Sequence, residues 1–159
     1  MHRTIRSVAL TTLVLFGAAC GSDTGPNDPP PLANGTMTAR IDGSAWRASI
    51  TIVATYQGGI LAVAGGDPVT GGTRTIGFAA VVAAPGTFPI GGTGPANGLV
   101  TIGSSTWQAA AGTGSGSITV TAISATGARG TFQFNALPVA GTPATGTRAI
   151  TEGSFDVTF

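Results

Sequence analysis

The chain has 159 residues and a formal net charge of +1; only 8% of its residues are charged, and 26 are glycine. Helical surfaces usually carry more charge, since typical soluble domains have about 25% charged residues, and this composition instead favours an exported β domain hydrated through Thr, Ser and backbone groups. The chain has no lysine and its arginines are scattered, so it has no basic stripe to neutralise phosphates and nucleic-acid binding is excluded.

Residues 1–19 have the pattern of an export signal. The basic residues His2, Arg3 and Arg6 precede an apolar run over 8–16, which is followed by Gly-Ala-Ala. This run is well short of the roughly 20 residues that a membrane-spanning helix needs. We therefore expect residues 1–19 to be a signal peptide.

Cys20 is the only cysteine, so it is an intermolecular thiol, a buried apolar residue or a modified residue. Its position directly after "FGAA" resembles the lipobox of bacterial lipoproteins, in which the cysteine carries diacylglycerol and becomes the mature N-terminus. The resemblance implies a lipid anchor at Cys20, which would hold the chain at the membrane. Gly21, which follows, implies sorting to the outer membrane of a two-membrane cell.

Residues 20–35 predict a flexible tether. The prolines of this segment favour extended polyproline geometry, and most of its other residues are turn formers. Asn34 begins an Asn-Gly-Thr sequence that we interpret as a turn into the first strand. The folded domain is then expected over residues 36–159.

The first predicted hairpin begins with alternating apolar residues at Met37, Ala39 and Ile41. The dipeptide at 42–43 is Asp-Gly, which predicts a type I′ turn because both of its residues tolerate positive φ. This turn pairs Ile41 with Ser44 and Ala39 with Trp46. The apolar residues after the turn are then expected on the same face: Trp46, Ala48, Ile50 and Ile52.

The second predicted hairpin lies within residues 117–137, where Phe132 and Phe134 alternate with polar residues. A two-residue loop would place a polar residue opposite Phe132, whereas a three-residue loop pairs Ala122 with Phe132 and Val120 with Phe134. We therefore expect the three-residue loop.

Further strands are predicted at residues 60–64, 75–83 and 99–102, with weaker candidates around Phe88 and Trp107. Segments rich in Gly and Pro separate them, and no helical stripe of period 3.6 occurs after the N-terminal segment. Many short strands of this kind predict an all-β fold, an antiparallel β-sandwich or a small β-barrel of about 8–10 strands.

The segments "ARIDGSAWRA", "APGTF", "GSGSITVTA", "GARGTFQFNA" and "ITEGSFDVTF" together resemble an uncharacterised bacterial lipoprotein family with an all-β domain of unknown function. The resemblance extends over about residues 36–159. It implies an all-β domain and no particular activity.

Motifs for catalysis or cofactor binding are scarce. The only histidine is His2, inside the expected signal peptide, and the chain has no lysine. Imidazole-based triads, Ser-Lys chemistry and the lysine-containing phosphate loop are therefore excluded. The "GTGSGS" sequence at 112–117 opens a β pattern and not a helix, so we interpret it as a turn. We expect no catalytic residue, no metal and no cofactor.

The carboxylates are the remaining catalytic candidates, since a glycosidase needs two of them about 5–9 Å apart. Asp42 and Asp67 are each expected in a tight turn, Glu152 beside a bulge-prone glycine, and Asp156 on an outward face. A calcium site would need more clustered oxygen ligands than "GGDPVTGG" supplies. Three aromatic residues could stack on a sugar: Trp46, Tyr56 and Trp107. Trp46 is expected in the core, and for Tyr56 and Trp107 the sequence does not decide between the core and a sugar-binding surface.

Two functions remain open. The first is a membrane-anchored, non-catalytic module of the cell envelope with a structural or interaction role toward another envelope macromolecule. The alternative is a calycin-like binding protein for a small apolar ligand, held between strands. The two differ in whether four phenylalanines fill the interior or line a cavity: Phe78, Phe132, Phe134 and Phe155.

Overall fold

The computed structural model describes residues 32–159, in which eleven strands and no helix are found. Alternating apolar and polar residues with turn formers between them account for this all-β structure. The strands are β1 Gly35–Ile41, β2 Ser44–Arg47, β3 Thr51–Gln57, β4 Ile60–Val69, β5 Gly72–Val81, β6 Gly86–Ile90, β7 Ala96–Ile102, β8 Ser105–Ala109, β9 Ser115–Ile123, β10 Gly127–Pro138 and β11 Arg148–Thr158.

The strands form one hydrogen-bonded sheet in the order β2-β1-β11-β10-β9-β6-β7-β5-β4-β3. The remaining strand, β8, pairs with both β7 and β10, so β6, β7, β8, β10 and β9 close into a five-stranded barrel. The pairings are antiparallel apart from a short parallel contact between β6 and β7. The predicted all-β fold is confirmed, and the structure has the small barrel, extended by further strands.

The first hairpin folds as predicted. Both residues of the 42–43 turn have positive φ, +50° and +82°, as a type I′ turn requires. Ile41 pairs with Ser44, and Ala39 pairs with Trp46. The Asp-Gly dipeptide therefore places the apolar residues of β1 and β2 on one buried face.

The prediction that Ile50 continues this buried face is wrong, because its side chain is 52% exposed. The backbone N–H groups of Ser49 and Ile50 both donate to the carbonyl oxygen of Gly66, at 2.9 and 3.1 Å. These two bonds attach the bend of the chain between β2 and β3 to β4. Ile50 is turned outward there, and Ile52 is buried again.

The second hairpin is present as β9 and β10, but its predicted register is wrong. Phe132 pairs with Ile118 instead of Ala122, and Phe134 is likewise displaced from Val120. The chain therefore reverses earlier than the alternation of apolar residues alone suggests.

Two local features cause this displacement. The Ser124 N–H donates to the Gly127 carbonyl at 2.9 Å, and the Thr126 N–H donates to the Ser124 hydroxyl at 3.2 Å. These bonds close the turn ahead of the expected loop. The register then shifts at Thr121, which forms a bulge and returns Ile118 to the buried face.

The interior is packed by aromatic rings that lie against glycines of other strands. A methyl group on Gly98 of β7 would lie 2.8 Å from the ring of Phe134 of β10. The same close approach occurs in two further pairs, Phe132 with Gly153 and Phe155 with Gly130. These three glycines therefore provide room for large side chains in the core.

The described chain enters the fold beside β3. Asn34 lies in the predicted turn, and its side-chain amide donates to the Ile52 carbonyl at 2.9 Å. The Thr158 N–H donates to the Asn34 carbonyl at 3.1 Å. The segment that precedes Leu32 therefore joins the domain next to the free edge of β3 and the C-terminal end of β11.

Candidate functional site

The lipidation site predicted from the sequence, Cys20, lies outside the described residues. The same holds for the signal peptide at 1–19 and for most of the tether at 20–35. The anchor therefore stays a prediction.

The interior of the domain is occupied by the four phenylalanines that the apolar-ligand alternative assigns to a cavity wall. All four are buried. The ring centroid of Phe78 lies 5.1 Å from that of Phe132 and 5.0 Å from that of Phe155, and the centroids of Phe132 and Phe134 are 6.4 Å apart. At these separations the rings pack on each other. These four side chains therefore fill the interior between them, and the candidate sites lie at the surface.

The three aromatic residues considered for sugar stacking have structural roles. Trp46 is buried, as predicted, and Trp107 is buried as well. The indole N–H of Trp107 donates to the Gly146 carbonyl at 3.1 Å, and the Arg148 guanidinium lies 4.4 Å from its ring centroid. Tyr56 is half-buried and donates its hydroxyl to a backbone carbonyl. None of these three rings lies flat on an open surface.

The prediction that Asp67 lies in a tight turn is wrong. Asp67 belongs to β4, and the chain turns only after Val69. Its side chain is 10% exposed and accepts two hydrogen bonds from Arg74 of β5, at 3.2 Å from Nε and 2.5 Å from Nη2. Proline at position 68 is tolerated because the pairing of β3 with β4 ends at Gly66. Asp67 is thus the acceptor of a bidentate ion pair.

The other three carboxylates lie where the sequence predicts. Asp42 is in the turn and accepts hydrogen bonds from Arg148 at 3.0 Å and from the Ala149 N–H at 2.9 Å. Glu152 lies at the bulge of β11 and pairs with Arg40 at 2.8 Å. Asp156 is exposed. Asp42 and Glu152 are thus bound by arginines, and Asp156 is exposed to solvent. These three carboxylates do not lie together in one buried pocket.

A charged cleft of about 490 Å³ lies where β1 and β2 meet β4 and β5. Its charged lining comprises three arginines and two carboxylates: Arg40, Arg47, Arg74, Asp67 and Glu152. The two carboxylates are already engaged by arginines. The formal charge of this lining is +1, and each ion pair links two neighbouring strands: Arg40 of β1 with Glu152 of β11, and Arg74 of β5 with Asp67 of β4.

Hydroxyl groups form a continuous row across five strands on one outer face, and we call it the hydroxyl row. Cross-strand pairing places its members directly beside one another: Thr87, Thr119, Thr131, Ser154 and Thr38. Two hydrogen bonds lie within it, at 3.0 Å between Thr87 and Thr119 and at 2.8 Å between Thr38 and Ser154. Charged residues flank the row on β1, β10 and β11. This face is polar.

The outward side of β3, β4, β5, β7 and β8 has the opposite character. The cross-strand register defines one row across it: Val53, Ala64, Gly77, Leu99, Gln108 and then Leu137 of β10. Charged residues are absent from this row and from the outward residues of the same five strands beside it. We call this surface the uncharged face.

Several aliphatic side chains of the uncharged face are largely exposed to solvent. Val53 is 56% exposed, Val81 54%, Ile60 50% and Leu99 38%. Between Val53 and Leu99 lies a shallow trough of about 260 Å³, whose floor consists of small residues: Ala62, Ala64, Gly77 and Ala79. A patch of exposed aliphatic groups of this kind commonly marks an interaction surface.

Sequence reasoning missed both faces. A signal for the uncharged face was present, because segments 48–66 and 75–128 contain no Asp, Glu, Lys or Arg. The segments alternate apolar and polar residues, but the alternation alone does not tell which strands are neighbours. The strand order was therefore needed to show that the uncharged positions form one surface.

Within residues 32–159, no group of three or more His, Cys, Asp or Glu side chains is arranged to hold a metal ion. The same residues contain no helix with the length and hydropathy needed to span a bilayer.

Comparison with known proteins gives one match. A family model described as a domain of unknown function (DUF6252) matches residues 33–157. No curated protein and no solved structure shows significant similarity to the chain. The matched residues include nearly all of the described domain, and with it both outer faces and the charged cleft.

Proposed function

The chain belongs to the DUF6252 family, and we propose that it is a lipid-anchored envelope protein whose β-domain is a non-catalytic interaction module. In this proposal Cys20 carries the lipid, the segment 20–35 is the tether, and the domain contacts another macromolecule of the envelope through its surface. The family description names no activity, and the support for this proposal comes from the chain itself.

The uncharged face is the observation that carries this proposal. Interaction surfaces are depleted of charged residues at their centre, whereas ordinary exposed sheet faces are polar. This domain has one face of each kind, the hydroxyl row on one side and half-exposed Val53 and Leu99 on the other. A packed interior and ion-paired carboxylates support a role at the surface over chemistry in a pocket.

The position of the chain entry fits an anchored module. Residues 21–31 separate Cys20 from Leu32, and at about 3.1 Å per residue they could hold the domain up to roughly 35 Å from the lipid. The entry lies beside β3, where Asn34 binds the Ile52 carbonyl. Such a tether would leave the uncharged face accessible to partners close to the membrane.

Site-specific photo-crosslinking in cells tests the proposal. A photoreactive phenylalanine analogue is introduced into the full chain at Val53 or at Leu99, and at Thr131 of the hydroxyl row as the matched control. We expect light-dependent adducts in the membrane fraction from Val53 and Leu99 and few or none from Thr131. Equal adduct formation from the two faces, or none from Val53 and Leu99, would contradict an interaction through the uncharged face.

A further inference from the structure

We propose that the partner on the uncharged face is a second copy of this chain, so that the protein dimerises by stacking two uncharged faces. This inference rests on the proposed function only in taking this face as the interaction surface. It adds the identity of the partner, and it requires neither the lipid nor the tether.

The size of the face is sufficient for a dimer. Five strands about 4.8 Å apart, each about six residues long at about 3.3 Å per residue, give a flat area of roughly 480 Å². Two stacked faces would then cover about 1,000 Å² over both copies, which is the lower limit for a specific interface. Stacked sheets commonly pack face to face through such side-chain layers.

The charge distribution favours a second copy. Two uncharged faces bring no like charges together and leave no charge unpaired, whereas two hydroxyl faces would bring together Arg129, Glu152 and Asp156 from each copy. The polar residues of the uncharged face are Thr, Asn and Gln, such as Thr55 and Asn97, which can exchange hydrogen bonds between copies.

The shape of the uncharged face would allow two copies to fit together. Val53 and Leu99 lie three strand spacings apart, on β3 and β7, and the floor between them consists of small residues. In a two-fold arrangement, the Val53 and Leu99 ridges of one copy could enter the trough of the other, as an isologous interface requires. Strand addition at the β3 edge is less suitable, because Asn34 already binds the Ile52 carbonyl there.

A lipid surface fits the same face less well. Peripheral membrane binding depends on cations for anionic headgroups and on aromatic residues at the interface. The outward residues of β3, β4, β5, β7 and β8 include neither arginine nor tryptophan. Their exposed Thr, Asn and Gln groups would also lose hydrogen bonds in hydrocarbon.

Co-recovery of two differently tagged full chains, expressed together and extracted in mild detergent, tests the dimer. We expect each tag to recover the other chain. The double variant Val53→Glu with Leu99→Glu should reduce this recovery at least tenfold, because it places carboxylates in the stacked layer. Thr131→Glu, on the exposed hydroxyl row, is the matched control and should leave recovery unchanged.

Disulfide trapping provides a second measurement that does not depend on charged variants. Leu99→Cys and Leu137→Cys in the full chain should give a reducible dimer under mild oxidation, whereas Thr131→Cys and the parent chain should not. Failure of the parent chain to recover its second copy, with no trapping at Leu99, overturns the dimer. Photo-adducts from Val53 with a different protein would overturn the dimer as well, but they would leave the proposed interaction function intact.

Discussion

The ring of Phe134 lies directly against Gly98, so that a methyl group on the glycine would come within 2.8 Å of Cε1 and 2.9 Å of Cδ1 and Cζ. These residues belong to strands on either side of β8 in the closed barrel. The contact shows how a barrel of only five strands accommodates a phenylalanine: the opposing strand has no side chain at that point.

Gly98→Ala should therefore destabilise the domain. The new methyl group would overlap a ring that is buried in the core, and overpacking of this kind costs about 1–3 kcal/mol. Gly66→Ala is the matched control, because its methyl group would be 3.4 Å from the nearest atom, an ordinary contact. Urea unfolding of both variants measures the difference. An equal free energy of unfolding for the two would contradict the packing of Phe134 on Gly98.

Phe134→Ala should cost about 3–5 kcal/mol, since it removes a ring that is buried in the core. In the double variant with Gly98→Ala, the methyl group no longer meets the ring. The combined loss should therefore be smaller than the sum of the two single losses, which a double-mutant cycle of unfolding free energies measures. Strict additivity would show that the two residues do not contact each other.

The ion pair between Asp67 and Arg74 should matter more for stability than the pair between Glu152 and Arg40. Asp67 and Arg74 have side chains that are 10% and 25% exposed, whereas Glu152 and Arg40 are 70% and 45% exposed. Asp67→Asn removes a charged acceptor from two hydrogen bonds, which we expect to cost about 1.5–3 kcal/mol. Glu152→Gln, the matched surface substitution, should cost less than about 1 kcal/mol.

Thermal unfolding in low and high salt checks this ranking. Screening acts mainly on the exposed pair, so the small effect of Glu152→Gln should shrink further at high salt, and that of Asp67→Asn should persist. A larger loss of stability in Glu152→Gln than in Asp67→Asn would show that the Asp67 carboxylate does not accept the two hydrogen bonds from Arg74.

How much of this fold the sequence could predict depends on how local each feature is. The Asp-Gly turn at 42–43 determines its own hairpin through the φ angles it allows, and alternation identifies Phe132, Phe134 and Phe155 as buried. The register of β9 with β10 was predicted wrongly. It depends on the turn closed by Ser124 and on the bulge at Thr121, and the alternation of apolar and polar residues reveals neither.

Non-local features were beyond sequence reasoning. The closure of the barrel by β8 joins β7 to β10, two strands that are distant in the chain. The uncharged face likewise depends on strands that are distant in the sequence. Its row from Val53 to Leu137 crosses six strands, and only the strand order places these residues side by side.

Cys20→Ser tests the anchor, and its expected result follows from the energetics of lipid insertion. Each buried methylene contributes about 0.8 kcal/mol, and stable anchoring takes about two acyl chains, so removal of the only modifiable thiol should release the protein from the membrane. Fractionation of cells expressing the full chain should find the parent protein with membranes and the Cys20→Ser protein in the soluble extracytoplasmic fraction. Ser22→Ala, which alters the same segment without removing the thiol, is the matched control and should stay with the membranes. A Cys20→Ser protein that sediments with membranes as the parent does would show that the chain is held there by something other than lipid at Cys20.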